Sequence, residues 1–524
     1  MALPSVMAHN FSQIPTVSLP RSTFDRSHGH KTAFDAGWLI PIYVDEVLPG
    51  DDKVMDMAAF ARLATPIHPV MDNMYVDVFF FFVPNRIIWD NWEKMQGEQD
   101  NPGDSIDYLV PQITTPTGGY AEESIYDYMG IPPAIQLNED INALHLRAYN
   151  ACYNAWFRDE NLIDSVVENK GDGPDTDTDY TLLKRGKRHD YFTSCLPFAQ
   201  KGDAVTLPLG TTAPVTSTGE DWRVRVASDP DTYNRSMEAF ASSYVGVSGT
   251  TPTVGDDLRW GSETGLQADL STATAATIND LREALAIQRV LEKSARGGTR
   301  YVEIILSFFG VQSPDQRLQR PQLLGKGSYP VSVSAVPQQS ETTGSSPQGN
   351  LAAIGTMGIG KCGFSQSFVE HGVILGLASA RADLTYQQGI RRMWHRRDRY
   401  DFYLPPLAHL GEQAVLNQEI WVDGSADDAD TFGFQERWAE YRYYPSMITG
   451  KMRSDSATSL DTWHLSQDFA TRPALNETFI NEDPPMDRIE AVPSEPDFIF
   501  DSYFKVRDTR VMPTYSVPGL GDRF

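Results

Sequence analysis

The chain of 524 residues contains only three cysteines, Cys152, Cys195 and Cys362. Their number is odd, they lie far apart, and no C-x-x-C pair occurs. This spacing argues against a disulfide framework and against a structural zinc site, because both need several cysteines at suitable spacings. We expect three buried, reduced thiols, which suits a reducing cytoplasm.

Long apolar runs are also missing. A membrane-spanning helix needs about 20 successive apolar residues, whereas Val78–Val83 is six residues long and stops at Pro84. The stretch before Arg21 lacks the charged and apolar regions of a secretory signal. The sequence therefore predicts neither a membrane segment nor export.

Positive charge is scarce. The chain has 44 Lys and Arg residues against 70 Asp and Glu residues, which gives a formal net charge of −26 at pH 7. A protein whose main task is to coat DNA is usually basic. The acidic balance therefore disfavours nonspecific binding to nucleic acid or to an anionic membrane.

Aromatic residues are concentrated in the stretch YVDVFFFFVPNRIIWDNW, which begins at Tyr75. A short, continuous apolar run predicts a strand that is buried on both faces, and Pro84 ends it because proline has no N–H to donate. The second face must then meet another layer or another chain. Four candidate core or interface residues form the middle of the run: Phe79, Phe80, Phe81 and Phe82.

Helices are predicted in three places. Apolar residues at three- and four-residue steps indicate one helix over Asn138–Glu160, with Asn138 as its cap, and another from Thr277 to about Ala295. A third is expected over Arg86–Gln96, between a capping Asn85 and Gly97.

Most other strong segments are typical of strands: 204–209, 301–310, 329–336, 371–384 and 496–506. Long connections separate them, which favours an antiparallel sandwich or jelly roll with insertions over a doubly wound parallel sheet. Thr211–Ala276 is rich in Thr, Ser and Gly, and we interpret it as an insertion that reaches into solvent. Pro337–Asn350 is predicted to be a flexible loop.

A glycine-rich stretch, Gly355–Gly363, fits two phosphate-binding patterns by spacing. Cys362 stands where a P-loop needs a Ser or Thr hydroxyl, and the following residues predict a strand where both patterns need a helix. We interpret the stretch as a loop that turns between strands, and a nucleotide-binding enzyme is the alternative. No catalytic, cofactor-binding or metal-binding residue is assigned.

Acidic residues in GDGPDTDTDY stand at calcium-loop spacing: Asp175, Asp177 and Asp179. Tyr180 and Gly186 occupy the positions where an EF-hand loop needs its Gly and its Glu. We therefore expect an exposed acidic loop at this place.

Basic and aromatic residues interleave in RRMWHRRDRYDFY, which runs from Arg391 to Tyr403. Arginines bind phosphates while aromatic rings stack on unpaired bases, so this is the composition of a single-stranded nucleic-acid surface. The alternative is a set of salt bridges, within or between subunits, with partners such as Asp398 and Asp401. The candidate residues are Arg391, Arg392, Trp394, Arg396, Arg397 and Arg399. The segment KRGKRH, Lys184–His189, is a shorter basic patch.

Several collinear segments resemble the major capsid proteins of microviruses, in the gokushovirus branch. They include SLPRSTFDRSHGHKTAFDAGWLIPIYVDEVLPGD, FFFFVPNRIIWDNWEKMQGEQ, RAYNACYNAWFRDENL, RRMWHRRDRYDFYLPPLAHLGEQAV and VPSEPDFIFDSYF. These segments are spread over most of the chain, whereas Thr211–Ala276 matches nothing and occupies the position of a variable insertion in that family.

The resemblance implies a mainly β, eight-stranded antiparallel jelly roll of the viral capsid type, with large loop and helical insertions. It implies sixty identical copies in a T=1 icosahedral shell around circular single-stranded DNA, with no enzymatic activity and no cofactor. The implied partners are a small basic DNA-binding virion protein, a DNA pilot protein, a scaffolding protein during assembly and a host surface receptor.

On this basis the chain is expected to divide into an N-terminal arm (1–74), jelly-roll strands with a helical insertion (75–210), a variable surface insertion near the threefold axes (211–276) and the remaining strands, helix, loops and C-terminal arm (277–524). The expected location is the virion, assembled in the bacterial host cytoplasm. A secreted carbohydrate-binding jelly roll is a further alternative, against which the missing export signal argues.

Overall fold

The computed structural model describes residues 20–203, 205, 307, 319–342 and 347–515, together with the strands and the helix between 215 and 296. The chain forms two compact units: one comprises Met1–Ala199 and Thr299–Phe524, and the other comprises Gln200–Gly298. The predicted strands at 204–209 and 301–310 lie outside the described residues except for Val205 and Ser307.

The first unit is built mainly of strands. Before the second unit these are β1 Ser22–Asp25, β2 His28–Phe34, β3 Ile40–Val47, β4 Asp52–Leu63, β5 Met74–Pro84, β6 Gln112–Ile113 and β7 Ile141–Asn142. The second unit contributes β8 Val215–Ser217, β9 Arg223–Val226, β10 Arg235–Phe240, β11 Tyr244–Val247, β12 Leu258–Trp260 and β13 Leu266–Ala268. The first unit then continues with β14 Gln322–Pro337, β15 Leu351–Ser367, β16 Gly372–Ala382, β17 Thr385–Tyr386, β18 Glu412–Leu416, β19 Thr431–Glu436, β20 Ser446–Met447 and β21 Phe498–Arg510.

In the described residues, helices are fewer than strands and mostly short. They are α1 Asn85–Ile88, α2 Trp92–Met95, α3 Ile125–Tyr128, α4 Leu144–Trp156, α5 Ile278–Arg296, α6 Asn417–Ile420, α7 Ala439–Arg442 and α8 Glu477–Ile480. No helix in the described parts of the chain is long and apolar enough to cross a bilayer.

The large sheet of the first unit is antiparallel and follows the order β1-β21-β4-β15-β14-β5-β16-β3, with β2 also paired to β21. Since β1 and β2 pair with consecutive stretches of β21, nine strands occupy eight positions in the described sheet. β14 pairs with β5 through residues 322–331 and with β15 through residues 332–337, so it carries the sheet from one layer into the other. The predicted mainly β, antiparallel jelly roll with helical insertions is confirmed.

The main core lies between the two layers. Successive side chains of a strand point to opposite faces, and β21 follows this rule along its length, with every second residue buried from Phe498 to Val506. Its inward rings meet inward residues of β3 and β4, and Phe504 lies 5.0 Å from Tyr43 between ring centroids. The three cysteines are buried free thiols, as predicted.

The inner face of β5 contributes two phenylalanines to this core. The ring centroid of Phe80 lies 5.9 Å from that of Phe364, and Phe82 lies 4.7 Å from Phe368. Gly376 on the neighbouring strand makes room for Phe80, since a Cβ atom built at Gly376 would lie 2.8 Å from Phe80 Cε1. Glycine at this position is therefore a packing requirement of the phenylalanine run.

The outer face of β5 packs against helix α4. Phe81 is buried, and its ring centroid lies 5.7 Å from that of Trp156. Phe79 is half-buried and meets Phe157 edge to face at 5.2 Å. Both faces of this strand are therefore covered largely within one copy of the chain.

Helix α4 begins later than the sequence predicts. Ile141 and Asn142 form β7, which pairs with β6, so Asn138 is not the cap. The side-chain oxygen of Asn142 accepts a hydrogen bond from the Leu144 N–H at 2.9 Å, which helps to satisfy the helix start. The prediction of a helix over Asn138–Glu160 is therefore wrong at its N-terminal boundary.

The helix predicted over Arg86–Gln96 is interrupted. Trp89 separates α1 from α2 in an extended conformation, because its ring is fully buried and its indole N–H donates to Asp172 Oδ1 at 2.8 Å. Burial of the indole at this position overrides the local helix preference. By contrast, α5 agrees with the helix predicted from Thr277 to about Ala295.

Gly355–Gly363 is neither a turn nor a phosphate loop. It lies within β15, and β16 follows it, so no helix N-terminus is present to face a phosphate. A side chain at Gly363 would overlap the carbonyl oxygen of Met55 on β4. The interpretation as a loop between strands is therefore wrong, and the glycine at 363 allows close approach of two strands.

The acidic stretch that precedes Tyr180 is only partly exposed. Asp175 is buried and pairs with Arg147, with Nη2 of Arg147 2.6 Å from Asp175 Oδ1. The Tyr180 hydroxyl donates to the same carboxylate at 2.6 Å. The expectation of an exposed loop is wrong for Asp175, whose charge neutralises a buried arginine. The described residues contain no group of three or more His, Cys, Asp or Glu that could hold a metal ion.

The second unit contains a four-stranded sheet in the order β11-β10-β9-β12 and a pair β13-β8. These six strands fall inside the predicted variable segment Thr211–Ala276. Whether that segment forms a surface protrusion stays a prediction.

Candidate nucleic-acid and subunit interface

The arginine and aromatic segment, Arg391–Tyr403, follows β17 in the first unit. Gly389 lies just before the segment. A side chain at this position would overlap the carbonyl oxygen of Glu419, so glycine allows the two backbones to approach closely. Two short 3-10 turns follow, Arg392–His395 and Arg399–Asp401. Along these turns, residues 391–392 and 395–396 are half-buried, whereas residues 393–394 and 397–400 are exposed.

Asp398 and Asp401 stabilise the second turn and do not pair with the arginines. The Asp398 carboxylate accepts the Tyr400 N–H at 2.6 Å, and the Asp401 carboxylate accepts the Arg397 N–H at 2.7 Å. Together they form a capping box, which satisfies N–H groups at the start of the turn. Within one copy of the chain these two carboxylates therefore cap a turn, and their pairing with arginines between subunits stays a prediction.

Two of the arginines pair with glutamates from elsewhere in the chain. Arg392 Nη1 lies 3.1 Å from Glu419 Oε1, on α6, and Arg396 Nη2 lies 3.4 Å from Glu440 Oε1, on α7. Burial raises the pKa of Glu419, and the charge of Arg392 opposes that rise. The Tyr191 hydroxyl also donates to Glu419 at 2.9 Å, so this carboxylate is held on two sides.

Arg391 is held without a carboxylate partner among the described residues. Its guanidinium lies 3.5 Å above the ring of Tyr444 and donates to the carbonyl oxygen of Pro445 at 3.1 Å. Burial lowers the pKa of Arg391 below its ordinary value. Its positive charge is therefore stabilised by a ring face and a peptide dipole, and not by a neighbouring anion.

Three predicted residues of the segment point to solvent in a single copy. Trp394 is 73% exposed, and Arg397 and Arg399 are exposed with no side-chain partner in the described parts of the chain. The surrounding surface carries further exposed rings: Tyr400, Phe402, Tyr403, Tyr441, Tyr443 and Tyr444. The segment thus has an inner half, whose arginines are held by two glutamates, a ring face and a carbonyl oxygen, and an outer half that is open.

Glu419, Glu440, Tyr441 and Tyr444 were not predicted as parts of this surface. The two glutamates lie 27 and 44 residues beyond their arginines, a separation that no local pattern marks. The motif RYY, which ends at Tyr444, could have indicated that these tyrosines belong to the same surface, since it also combines basic and aromatic residues.

The shorter basic patch, Lys184–His189, is mostly tied to neighbouring residues. Lys184 Nζ lies 2.8 Å from Asp483 Oδ1, Arg185 pairs with Asp77, and Lys187 is buried. Arg188 and His189 are exposed. The patch therefore offers little free positive charge.

Comparison with known proteins now identifies the kind of protein that carries these features. A family model described as "Capsid protein (F protein)" matches residues 12–520. The chain belongs to this family. The capsid protein is 49% identical to Capsid protein VP1 of Bdellovibrio phage phiMH2K over 98% of both chains.

Two further relatives of the capsid protein carry the same name. Capsid protein VP1 of Chlamydia phage 1 is 44% identical, over 99% of this chain and 98% of the relative. Capsid protein VP1 of Spiroplasma virus 4 is 38% identical, over 99% of both chains. The predicted membership in the gokushovirus branch of the microviruses is confirmed, and the capsid protein has a structural role in the virion and is not an enzyme.

Proposed function

We propose that sixty copies of this chain assemble into a T=1 icosahedral shell around the circular single-stranded DNA of a bacterial virus. Assembly takes place in the host cytoplasm. Membership of the capsid family over nearly the whole chain supports self-assembly, and heterologous contacts that close around rotation axes generate such shells.

The observation that carries this proposal is a group of exposed apolar and aromatic side chains among charged ones on the outer face of β4 and β21. Phe60 is 54% exposed and pairs with Asp501, between Ile499 and Tyr503, which are 62% and 52% exposed. Gly358, opposite Phe60 on β15, adds no side chain that could cover the ring. A second copy of the chain is the occupant that a self-assembling protein supplies, because contacts between permanent partners are large and apolar.

Substitution of Phe60 tests this contact. Phe60→Lys places a charge on the exposed face without disturbing the core, whereas Phe60→Leu keeps the surface apolar and serves as the matched control. We expect shells from Phe60→Leu and only small species from Phe60→Lys, measured by sedimentation and electron microscopy. Normal shells from Phe60→Lys would rule out this face as a contact between copies.

The outer half of the arginine and aromatic segment is proposed to contact the packaged DNA. Arg397 and Arg399 supply free positive charge beside the exposed ring of Trp394, while Arg392 and Arg396 position the turn. A double variant, Arg397→Glu with Arg399→Glu, is expected to give intact shells with less DNA. Loss of shells would instead assign the segment to a contact between copies.

The strongly acidic balance supports separate basic partners. A chain with a net charge of −26 brings no net positive charge to offset that of a genome. We therefore propose a small basic DNA-binding virion protein, together with a DNA pilot protein and, during assembly, a scaffolding protein. Mass spectrometry of purified particles tests the first two, since both remain in the virion.

The segment Thr211–Ala276 is proposed to be the variable surface insertion that recognises a host receptor. Its position within a separate compact unit supports this assignment, because such a unit tolerates exchange. Exchange of residues 211–276 for the corresponding segment of a relative is expected to change host adsorption while shells still form. Unchanged host range with the exchanged segment would contradict the proposal.

A further inference from the structure

A small cavity lies behind the arginine and aromatic segment, between the turn Arg392–His395 and the strand β20. Its volume is about 220 Å³. Drug-sized pockets typically span about 300–1,000 Å³, so this cavity admits one ring system and not a folded segment. Its lining includes Arg391, Arg396, Tyr441, Tyr444, Met447 and Arg453.

The polar side of this cavity has more positive charge than its carboxylates neutralise. Glu419 and Glu440 also line it, but they already pair with Arg392 and Arg396. In the described parts of the chain, Arg391 and Arg453 have no carboxylate partner. The cavity therefore carries two uncompensated positive charges, which favours an anionic ligand.

Two donors in the cavity residues lack acceptors. Arg391 Nη1 and Arg396 Nε are shielded from solvent, and neither has a hydrogen-bond partner among the described residues. An unpaired buried donor costs free energy, so such groups usually have a partner in the functional state of a protein. Both atoms are donors and need an acceptor, and the oxygens of a phosphate are acceptors.

The apolar side of the cavity consists of aromatic rings. The Arg396 guanidinium lies 4.2 Å from the Tyr441 ring centroid, and the Arg391 guanidinium lies 3.5 Å from that of Tyr444. Tyr444 is 77% exposed, so much of its ring is accessible to a planar ligand. Because the Arg391 guanidinium covers one face of this ring, a base would stack on the opposite face, with the ring between the base and the guanidinium.

We propose that this cavity binds one unpaired nucleotide of the packaged DNA, with its base against Tyr444 and Tyr441 and its phosphate at Arg391. The proposal rests on the proposed enclosure of single-stranded DNA and gives it a defined site in each copy. Bases of any kind can stack on a ring face, so the site does not require a particular sequence. A side chain of a second copy is the competing occupant.

Binding of a fluorescein-labelled ten-residue oligothymidylate to the purified full-length chain tests the proposal by fluorescence anisotropy. We expect Arg391→Ala and Tyr444→Ala each to weaken binding roughly tenfold, since one phosphate contact or one stacked base is lost. Arg391→Lys keeps the charge and should lose less. Arg188→Ala, an exposed arginine outside the cavity, is the matched control and should change binding less than twofold.

The outcomes separate this site from its alternatives. Equal binding by wild type, Arg391→Ala and Tyr444→Ala would overturn the proposal, and loss of shells with unchanged oligonucleotide binding would assign the cavity to a contact between copies. Thymidine monophosphate that competes as strongly as the oligonucleotide would show a free-nucleotide site and not a DNA site. The binding measurement does not depend on shell formation, so it remains informative if no shells form.

Discussion

The phenylalanine run permits a quantitative prediction about the core. Phe80 is 0% exposed and stands between two glycines, Gly325 on β14 and Gly376 on β16. Truncation of a buried phenylalanine to alanine costs about 3–5 kcal/mol, and the cost rises with the size of the cavity that remains. Because neither glycine has a side chain that could move into the gap, we expect about 4–5 kcal/mol for Phe80→Ala.

Urea unfolding of the soluble chain, followed by circular dichroism, measures this cost. The free energy of unfolding of a single domain is about 5–15 kcal/mol. A loss of this size therefore moves the midpoint of unfolding to a much lower urea concentration. Phe79→Ala is the matched control on the same strand, since Phe79 is half-buried on the other face, and we expect it to cost about 1–2 kcal/mol. Equal costs at the two positions would refute the assignment of Phe80 to the closed core. A soluble, assembling Phe80→Asp variant would refute it as well.

Three further predictions concern other parts of the first unit. The fully buried Lys53 binds Asp45 and Asp508, so Lys53→Met removes one of the cations that hold these carboxylates. We expect the free energy of unfolding, measured by thermal unfolding, to fall by roughly 3 kcal/mol. An unchanged free energy of unfolding would contradict this. Gly376→Ala crowds Phe80 and should lower the free energy of unfolding by about 1–3 kcal/mol. Gly358→Ala has nothing within 4 Å of the added atom and should leave the free energy of unfolding of the unassembled chain unchanged. Burial and then the Asp497 charge raise the pKa of Glu490 from 4.5 to about 8, so the folded state keeps a proton that the unfolded state releases. Stability should therefore fall as pH rises from about 4.5 to 8, and Glu490→Gln should flatten this melting-temperature profile; a wild-type profile that rises over this interval would contradict the reasoning.

The elements that the sequence predicts well are those whose pattern is local. The strand β5 follows from an uninterrupted apolar run that stops at a proline, and α5 follows from its regular apolar spacing. In both cases the residues that decide the structure lie within one window of the chain.

The elements that the sequence predicts poorly depend on distant partners. Gly363 belongs to a strand because the backbone of Met55 approaches it closely, and nothing near Gly363 in the sequence marks that approach. Trp89 interrupts a helix because its indole binds Asp172, which lies 83 residues away. The pairs Arg392 with Glu419 and Arg396 with Glu440 are non-local in the same way, so composition revealed the basic segment but not which of its arginines are neutralised.

The pairing of β21 with β4 has a consequence for how the chain is made. Lys53 and Asp508, which meet in this pairing, are 455 residues apart. At roughly 5–20 residues per second, a ribosome needs on the order of 20–90 s to add the second strand after the first. Throughout that time the inward side of β4 lacks the strand that completes its layer. A chain whose synthesis stops before Arg510 therefore lacks part of the strand that completes this layer, and we expect such incomplete chains to be unable to join a shell.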